Sequence, residues 1–155
     1  MTTERPSRAL SPALSYALLA ALALVLFFPR LGSFGFWDPY EIKIADAARN
    51  VVTGHGSLAQ ATHTLGRPPA AVALVAEGFR VFGIGELGGR LPIAIVSLFA
   101  LLACFYAGSG MIRRRGALLG SFVFATAPAI LLGARQLTTN APALLGTALA
   151  VGGLV

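Results

Sequence analysis

Long runs free of charge constrain this chain more than any other feature. Residues 9–28, 91–111 and 117–134 contain no Asp, Glu, Lys or Arg, and a further such run occupies 141–155. A hydrocarbon core of roughly 30 Å asks for about 20 apolar residues in a helix, because each backbone N–H and C=O must be satisfied within the segment. Composition agrees: 56% of residues are hydrophobic, 12% are charged, and the mean hydropathy is +0.77. An ordinary water-soluble domain is excluded. The expected fold is all-α and integral to the membrane, with about four transmembrane helices at 9–28, 91–111, 117–134 and 141–155. The last is expected to be truncated, so residues 1–155 read as the N-terminal portion of a longer multi-pass domain.

Arg5 and Arg8 give the first run the basic flank of a signal peptide. Its apolar part is long for that role, no small-x-small pair follows, and Phe27-Phe28-Pro29-Arg30 is a poor cleavage context. An uncleaved anchor is expected. Arg113-Arg114-Arg115 separate the second and third runs, and short basic flanks stay cytoplasmic. Both markers put the N-terminus in the cytoplasm and the loop at 29–89 on the extracytoplasmic side. That loop also carries Arg30, Lys43, Arg49, Arg67 and Arg80, with Arg90 directly after it, but long translocated loops escape the charge bias. Eleven of the twelve basic residues are Arg, a usage that hints at a GC-rich bacterial genome; the expected location is a bacterial cytoplasmic (inner) membrane, with the N-terminus cytoplasmic.

The net charge of +6 does not indicate nucleic-acid binding, which needs basic residues clustered on a solvated domain. Here they are spread along membrane interfaces, and membrane lipids are the expected surroundings. A single cysteine, Cys104, rules out an internal disulfide framework and reads as a small core residue. His55 and His63 have neither Cys nor acidic neighbours at ligand spacing, so no metal site is expected, and a divalent-ion requirement stays open. No nucleotide-binding glycine loop is present. Gly116 to Gly120 and Gly146 to Gly152 have the spacing of small-residue helix packing.

The loop at 29–89 holds the polar chemistry. Asp38 suits a helix N-cap, Pro39 the first helical position, and Glu41 the N3 position of a capping box. The helix is expected to end near Thr53, with Gly54 as a left-handed terminator. Ile44, Ala47, Ala48 and Val51 form its apolar stripe. Lys43–Asp46 and Asp46–Arg49 have the i,i+3 spacing of ion pairs. A second helix, lying along the interface, is expected over 70–82, with Val72, Val75, Phe79 and Phe82 on one face. Residues 83–89 then form a hinge. Asp38 has two readings: a helix cap, or a carboxylate tuned by its place beside a membrane span. They are compatible, because one oxygen can cap while the other accepts a proton.

In order along the chain stand Trp37-Asp38-Pro39-Tyr40-Glu41, Arg67-Pro68-Pro69, Phe82-Gly83 and Arg90-Leu91-Pro92. This composite pattern resembles the N-terminal part of the polyprenyl-phosphate-sugar-dependent glycosyltransferases of GT-C type, the membrane enzymes that include protein O-mannosyltransferases and lipid A aminoarabinose transferases. The resemblance covers nearly all of this chain but only the front of the family fold. It implies a sugar donor linked to polyprenyl phosphate and a hydroxyl acceptor on a glycan, lipid or protein. Asp38 matches the acidic residue of the family's first loop, and Glu41 is a second catalytic candidate. Arg67 stands where the family places Lys or Arg before Pro-Pro, and Arg135 lies at the outer end of the third run.

The implied chemistry needs a base for the attacking hydroxyl and cations for the phosphate leaving group. Asp38 and Glu41 supply carboxylates; Arg67, Arg90 and Arg135 supply planar guanidinium forks suited to phosphate. Each Arg also has a plainer reading, as a loop-fixing residue or, for Arg90, an interfacial anchor that snorkels. One departure stands out: many members carry Asp after the third span, where this chain has Asn140, which can cap the next helix but cannot be a base. The alternative function is a noncatalytic membrane scaffold, assembly subunit or degenerate relative. A small transporter fits less well, since no acid lies at bilayer depth.

Overall fold

The structure is a computed structural model that describes residues 11–37, 39–66 and 68–154. Among these it contains eight helices and no strand, as the all-α reading requires. Helix α1 (Pro12–Phe27) opens where the Ser11 hydroxyl accepts from the Leu14 N–H and Pro12 takes the first turn. Three shorter helices follow: α2 (Tyr40–Val52), α3 (Leu58–Leu65) and α4 (Ala70–Phe82). The long α5 (Glu86–Met111) is followed by α6 (Arg114–Thr126), α7 (Pro128–Arg135) and α8 (Asn140–Gly152).

Contacts in the core fix the helix directions. Leu19 of α1 meets Phe105 late in α5, whereas Phe27 clusters with Ala94 early in α5, so the two run antiparallel. Ala117 and Leu118 of α6 join the Phe105 cluster and Ala125 joins the Ala94 cluster, so α6 also opposes α5. Ala141 of α8 packs with Ile93, and Gly152 lies against Tyr106, so α8 runs parallel to α5. The start of α5, the end of α7 and the start of α8 therefore share one end with α2–α4. Arg113–Arg115 stand at the other end.

Helix α5 is the axis, packing against α1, α4, α6, α7 and α8. Its neighbouring residues Ile93 and Ala94 feed two different cores. Ile93 joins Ile44, Ala48, Val72, Val75 and Phe79 of the short helices. Ala94 joins Ala23, Phe27, Leu101 and Ala125 of the bundle.

The spans differ in detail from expectation. Among the described residues, α5 alone is long and apolar enough to cross a membrane. Its 26 residues rise about 39 Å at 1.5 Å each. It begins at Glu86 rather than residue 91, taking Gly88 and Gly89 into the helix and leaving 83–85 as the hinge. The run at 117–134 is broken: α6 and α7 meet at a 63° bend and qualify only as one bent span. The cause is Pro128, which holds Ala127 extended (ψ 131°) and ends α6. Helices α1 and α8 are apolar but shorter, at 16 and 13 residues. The four expected spans are thus one full-length helix, one bent pair and two short apolar helices.

The short helices follow local signals closely. Helix α2 ends at Val52, and Gly54 has φ +80°; α4 covers 70–82 as expected, although Phe82 is exposed. Helix α3 lies in a segment that reads as loop by composition. Its signature is present: the Ser57 hydroxyl accepts from the Gln60 N–H, and Gly66 terminates it at φ +60°. Neither i,i+3 ion pair expected on α2 forms; among the described residues the ion pairs are Arg80–Glu77 and Arg90–Glu41. Of the small-residue pairs, Gly152 does make a close helix contact, whereas Gly120 and Gly146 face open space.

Close approach of α4 to α5 depends on Gly78. A Cβ there would stand 2.0 Å from the Gly88 carbonyl oxygen and 2.5 Å from Pro92 Cγ. Pro92 has no N–H, so the Gly88 carbonyl lacks its usual partner four residues on, and Gly78 packs onto it. Gly78→Ala should destabilise the protein by at least about 1–3 kcal/mol, as overpacking does. Gly120→Ala, a helical position with open space around it, should change stability by less than about 1 kcal/mol. Thermal unfolding in detergent of both variants checks this; equal effects would remove the close-approach argument.

Candidate active site

Connection 28–39 links α1 to α2 across the end of the bundle where α5 and α8 begin. One buried ion pair holds it. Arg90, on α5, is 4% exposed, and Glu41, on α2, is 2% exposed. Arg90 Nε donates to Glu41 Oε1 at 3.2 Å and Nη2 to Oε2 at 2.6 Å. The remaining N–H groups donate to carbonyls of the connection: Leu31 at 3.0 Å, Phe34 at 2.6 Å and Gly35 at 2.8 Å. The guanidinium carbon also lies 5.4 Å from the centre of the Phe36 ring, within cation–π range.

Glu41 is equally committed. Beyond Arg90, its Oε2 accepts from the Trp37 N–H and its Oε1 from the Leu137 N–H, both at 2.8 Å. One carboxylate thus ties together α2, α5, the α1–α2 connection and the α7–α8 turn. Burial alone would raise its pKa. Hydrogen bonds from Arg90, Trp37 and Leu137, with the charge of Arg90, outweigh burial and hold it below the usual carboxylate value.

This geometry bears on two expectations. Arg90 has all five N–H groups directed at protein acceptors, so in this arrangement none is left for a phosphate. Glu41 has each oxygen doubly engaged, by Arg90 and by a main-chain N–H. The capping box is shifted too. Helix α2 starts at Tyr40, and the Glu41 carboxylate reaches back to the Trp37 N–H. Asp38 and Arg67 lie outside the described residues.

Arg135 sits at the end of α7, where its Nη2 donates to the Pro29 carbonyl at 2.8 Å. With Arg30 it borders a recess of about 300 Å³, walled by Phe34, Trp37, Leu131 and Leu132. Arg30 reads in the sequence as one loop charge among several, yet it has φ +55°, the one positive value among described non-glycine residues. A non-glycine residue there costs about 1–3 kcal/mol, and such strain concentrates at functional sites. Two cations over an apolar wall are what a lipid phosphate requires. Trp37, 67% exposed, also borders a smaller cavity of about 180 Å³ with Tyr40, Thr138 and Asn140. Asn140 is the first residue of α8, and no side chain caps that helix, so the expected Asn140 cap is absent. Among the described residues no three His, Cys, Asp or Glu side chains gather as a metal site would need.

Loss of either partner should leave a buried charge uncompensated. Glu41→Gln and Arg90→Gln are each expected to cost about 3–5 kcal/mol. Because the folded pKa of Glu41 is depressed, its contribution is full above the ordinary value of 4.5 and is lost as pH falls through the folded value. Melting temperatures from pH 7 to 3 should fall on the acid side for the wild type, with a shallower fall for Glu41→Gln. Parallel profiles would remove Glu41 from the acid response.

Comparison with known proteins follows this geometry. No solved structure matches the chain. An uncharacterized protein of Aquifex aeolicus is 31% identical over 87 residues, covering 54% of this chain and 17% of that protein. An undecaprenyl phosphate-alpha-4-amino-4-deoxy-L-arabinose arabinosyl transferase of Pseudomonas savastanoi pv. phaseolicola is 36% identical over 98 residues, covering 59% of this chain and 18% of that enzyme. The matched stretch is thus less than a fifth of either relative. The profile of the dolichyl-phosphate-mannose-protein mannosyltransferase family matches residues 66–154, from the turn before α4 through α8. The chain belongs to that family of GT-C glycosyltransferases.

Proposed function

We propose that the chain forms the N-terminal portion of a multi-pass membrane glycosyltransferase that moves a sugar from a polyprenyl-phosphate donor to a hydroxyl acceptor. The reaction takes place on the extracytoplasmic side of a bacterial inner membrane. The observation that carries this reading is the recess bordered by Arg30 and Arg135, with Leu131, Leu132 and Trp37 as its apolar wall. Phosphate oxygens meet the guanidinium groups while the polyprenyl chain follows the leucines. Arg67 joins the phosphate side in this reading.

In this reading Asp38 is the base, as its match to the acidic residue of the family's first loop implies. Glu41 is committed to Arg90, Glu77 is paired with Arg80, and Glu86 opens α5. Asp46 lines the cleft between α2 and α3, two cavities removed from the arginine recess, and Glu4 precedes the first apolar run. Asp38 takes the proton of the acceptor hydroxyl as its oxygen bonds the anomeric carbon. The bond from that carbon to the donor phosphate oxygen breaks, and the polyprenyl phosphate leaves with the electron pair beside Arg30 and Arg135.

A second reading, a noncatalytic relative, is favoured by one observation: among the described residues, no uncommitted carboxylate lines either cavity at this end, and Asn140 stands where many members have Asp. Asp38→Asn in the full-length protein decides between them. Turnover from a polyprenyl-phosphate sugar should fall roughly a hundredfold or more, with melting temperature kept because Asn is nearly isosteric with Asp. Arg135→Ala should weaken donor binding about tenfold or more, as loss of a charge-assisted contact does. Unchanged turnover in Asp38→Asn, or a wild type with no transfer at all, returns the protein to the scaffold reading.

The side of the membrane has its own check. In a Cys104→Ala background, Ser33→Cys should react with an impermeant maleimide in intact cells, and Arg114→Cys only after permeabilisation. The reverse pattern overturns the topology.

A further inference from the structure

Another cavity lies away from the arginine recess. It is a cleft of about 410 Å³ between α2 and α3, bordered by Lys43, Asp46, Asn50, Gln60 and Thr64. All five side chains are exposed, and none makes a side-chain hydrogen bond or ion pair with another described residue. The floor is apolar: Ala61 is buried, and Ala47 and Leu65 are half-buried.

We propose that this cleft binds a neutral saccharide unit of the acceptor, an inference that rests on the glycosyltransferase reading above. A sugar ring offers C–H faces to an apolar floor and hydroxyls that both donate and accept at its rim. The rim matches. Asn50 and Gln60 present amides with both functions, Thr64 a hydroxyl, Asp46 an acceptor and Lys43 a donor. One cation and one anion leave no net charge, so neither an anionic nor a cationic ligand is favoured electrostatically.

Position supports the assignment. Lys43, Thr64 and Leu65 are shared with an adjoining cavity of about 150 Å³ that reaches Tyr40. Tyr40, 70% exposed, also borders the small cavity holding Trp37 and Gln136, and these two in turn border the arginine recess. The four cavities form a chain of shared residues from the α2–α3 cleft to the proposed donor phosphate, with aromatic side chains at the two junctions. An acceptor held in the cleft extends toward the donor along that path.

The test is binding rather than transfer. Full-length protein in lipid nanodiscs is applied to an array of neutral hexose and N-acetylhexosamine oligosaccharides and, separately, to Ser/Thr-containing peptides. The wild type should bind a subset of the glycans. Asp46→Ala combined with Gln60→Ala should weaken that binding at least tenfold while leaving the melting temperature unchanged. Should the double variant melt early, Thr64→Val, exposed and isosteric, takes its place with the same expectation. No glycan binding, glycan binding indifferent to these substitutions, or binding of peptides instead each overturns the proposal. Asp38→Asn should keep its glycan binding, so failure of the saccharide cleft and failure of the transferase reading are seen separately.

Discussion

The geometry of this protein depends on one buried charge pair. A guanidinium and a carboxylate taken out of water are each strongly penalised, and the penalty is offset only when every donor and acceptor is met. Arg90 and Glu41 satisfy that condition with five donated and four accepted hydrogen bonds. Three of the Arg90 bonds go to main-chain carbonyls, so the pair does more than join two helices. It imposes a conformation on a connection that has no regular secondary structure of its own, and so sets where Phe34, Gly35 and Trp37 lie. Replacing the pair with apolar side chains would fill the space but leave those carbonyls, and the Trp37 and Leu137 amides, without partners.

What the sequence discloses and what it conceals divide along contact distance. Helix α2 was legible because Ile44, Ala48 and Val51 repeat at helical spacing and Gly54 stops the helix; α4 was legible for the same reason. Helix α3 was missed although Ser57 and Gln60 have capping-box spacing, because eight residues of mixed polarity give little periodicity to detect. The break between α6 and α7 was missed because the apolar run continues through Pro128. Composition registers hydrophobicity, not a lost N–H.

The site was less legible than the fold. Arg90 and Glu41 are 49 residues apart, and nothing local to either reveals the other, so each looked available for chemistry. Arg135 is readable from the sequence as the residue that ends its apolar run, and it does end α7. Arg30 carried only a weak signal, a basic residue directly after Pro29. Its left-handed backbone is a product of tertiary context. Capping logic explained Glu41 in kind, a carboxylate turned back to a main-chain amide, but not its burial or its ionic partner.

Gly78 presses α4 onto α5, whereas α3 is bounded by Gly54 and Gly56 on one side and Gly66 on the other and packs mainly on α2. The two walls of the polar cleft therefore have different freedom to vary. Substitutions on α2 are constrained by Glu41 and by the apolar core beneath Ile44. Substitutions on the outward face of α3 disturb neither. Among related chains, α3 is where the residues bordering this cleft can vary while the bundle beneath stays unchanged.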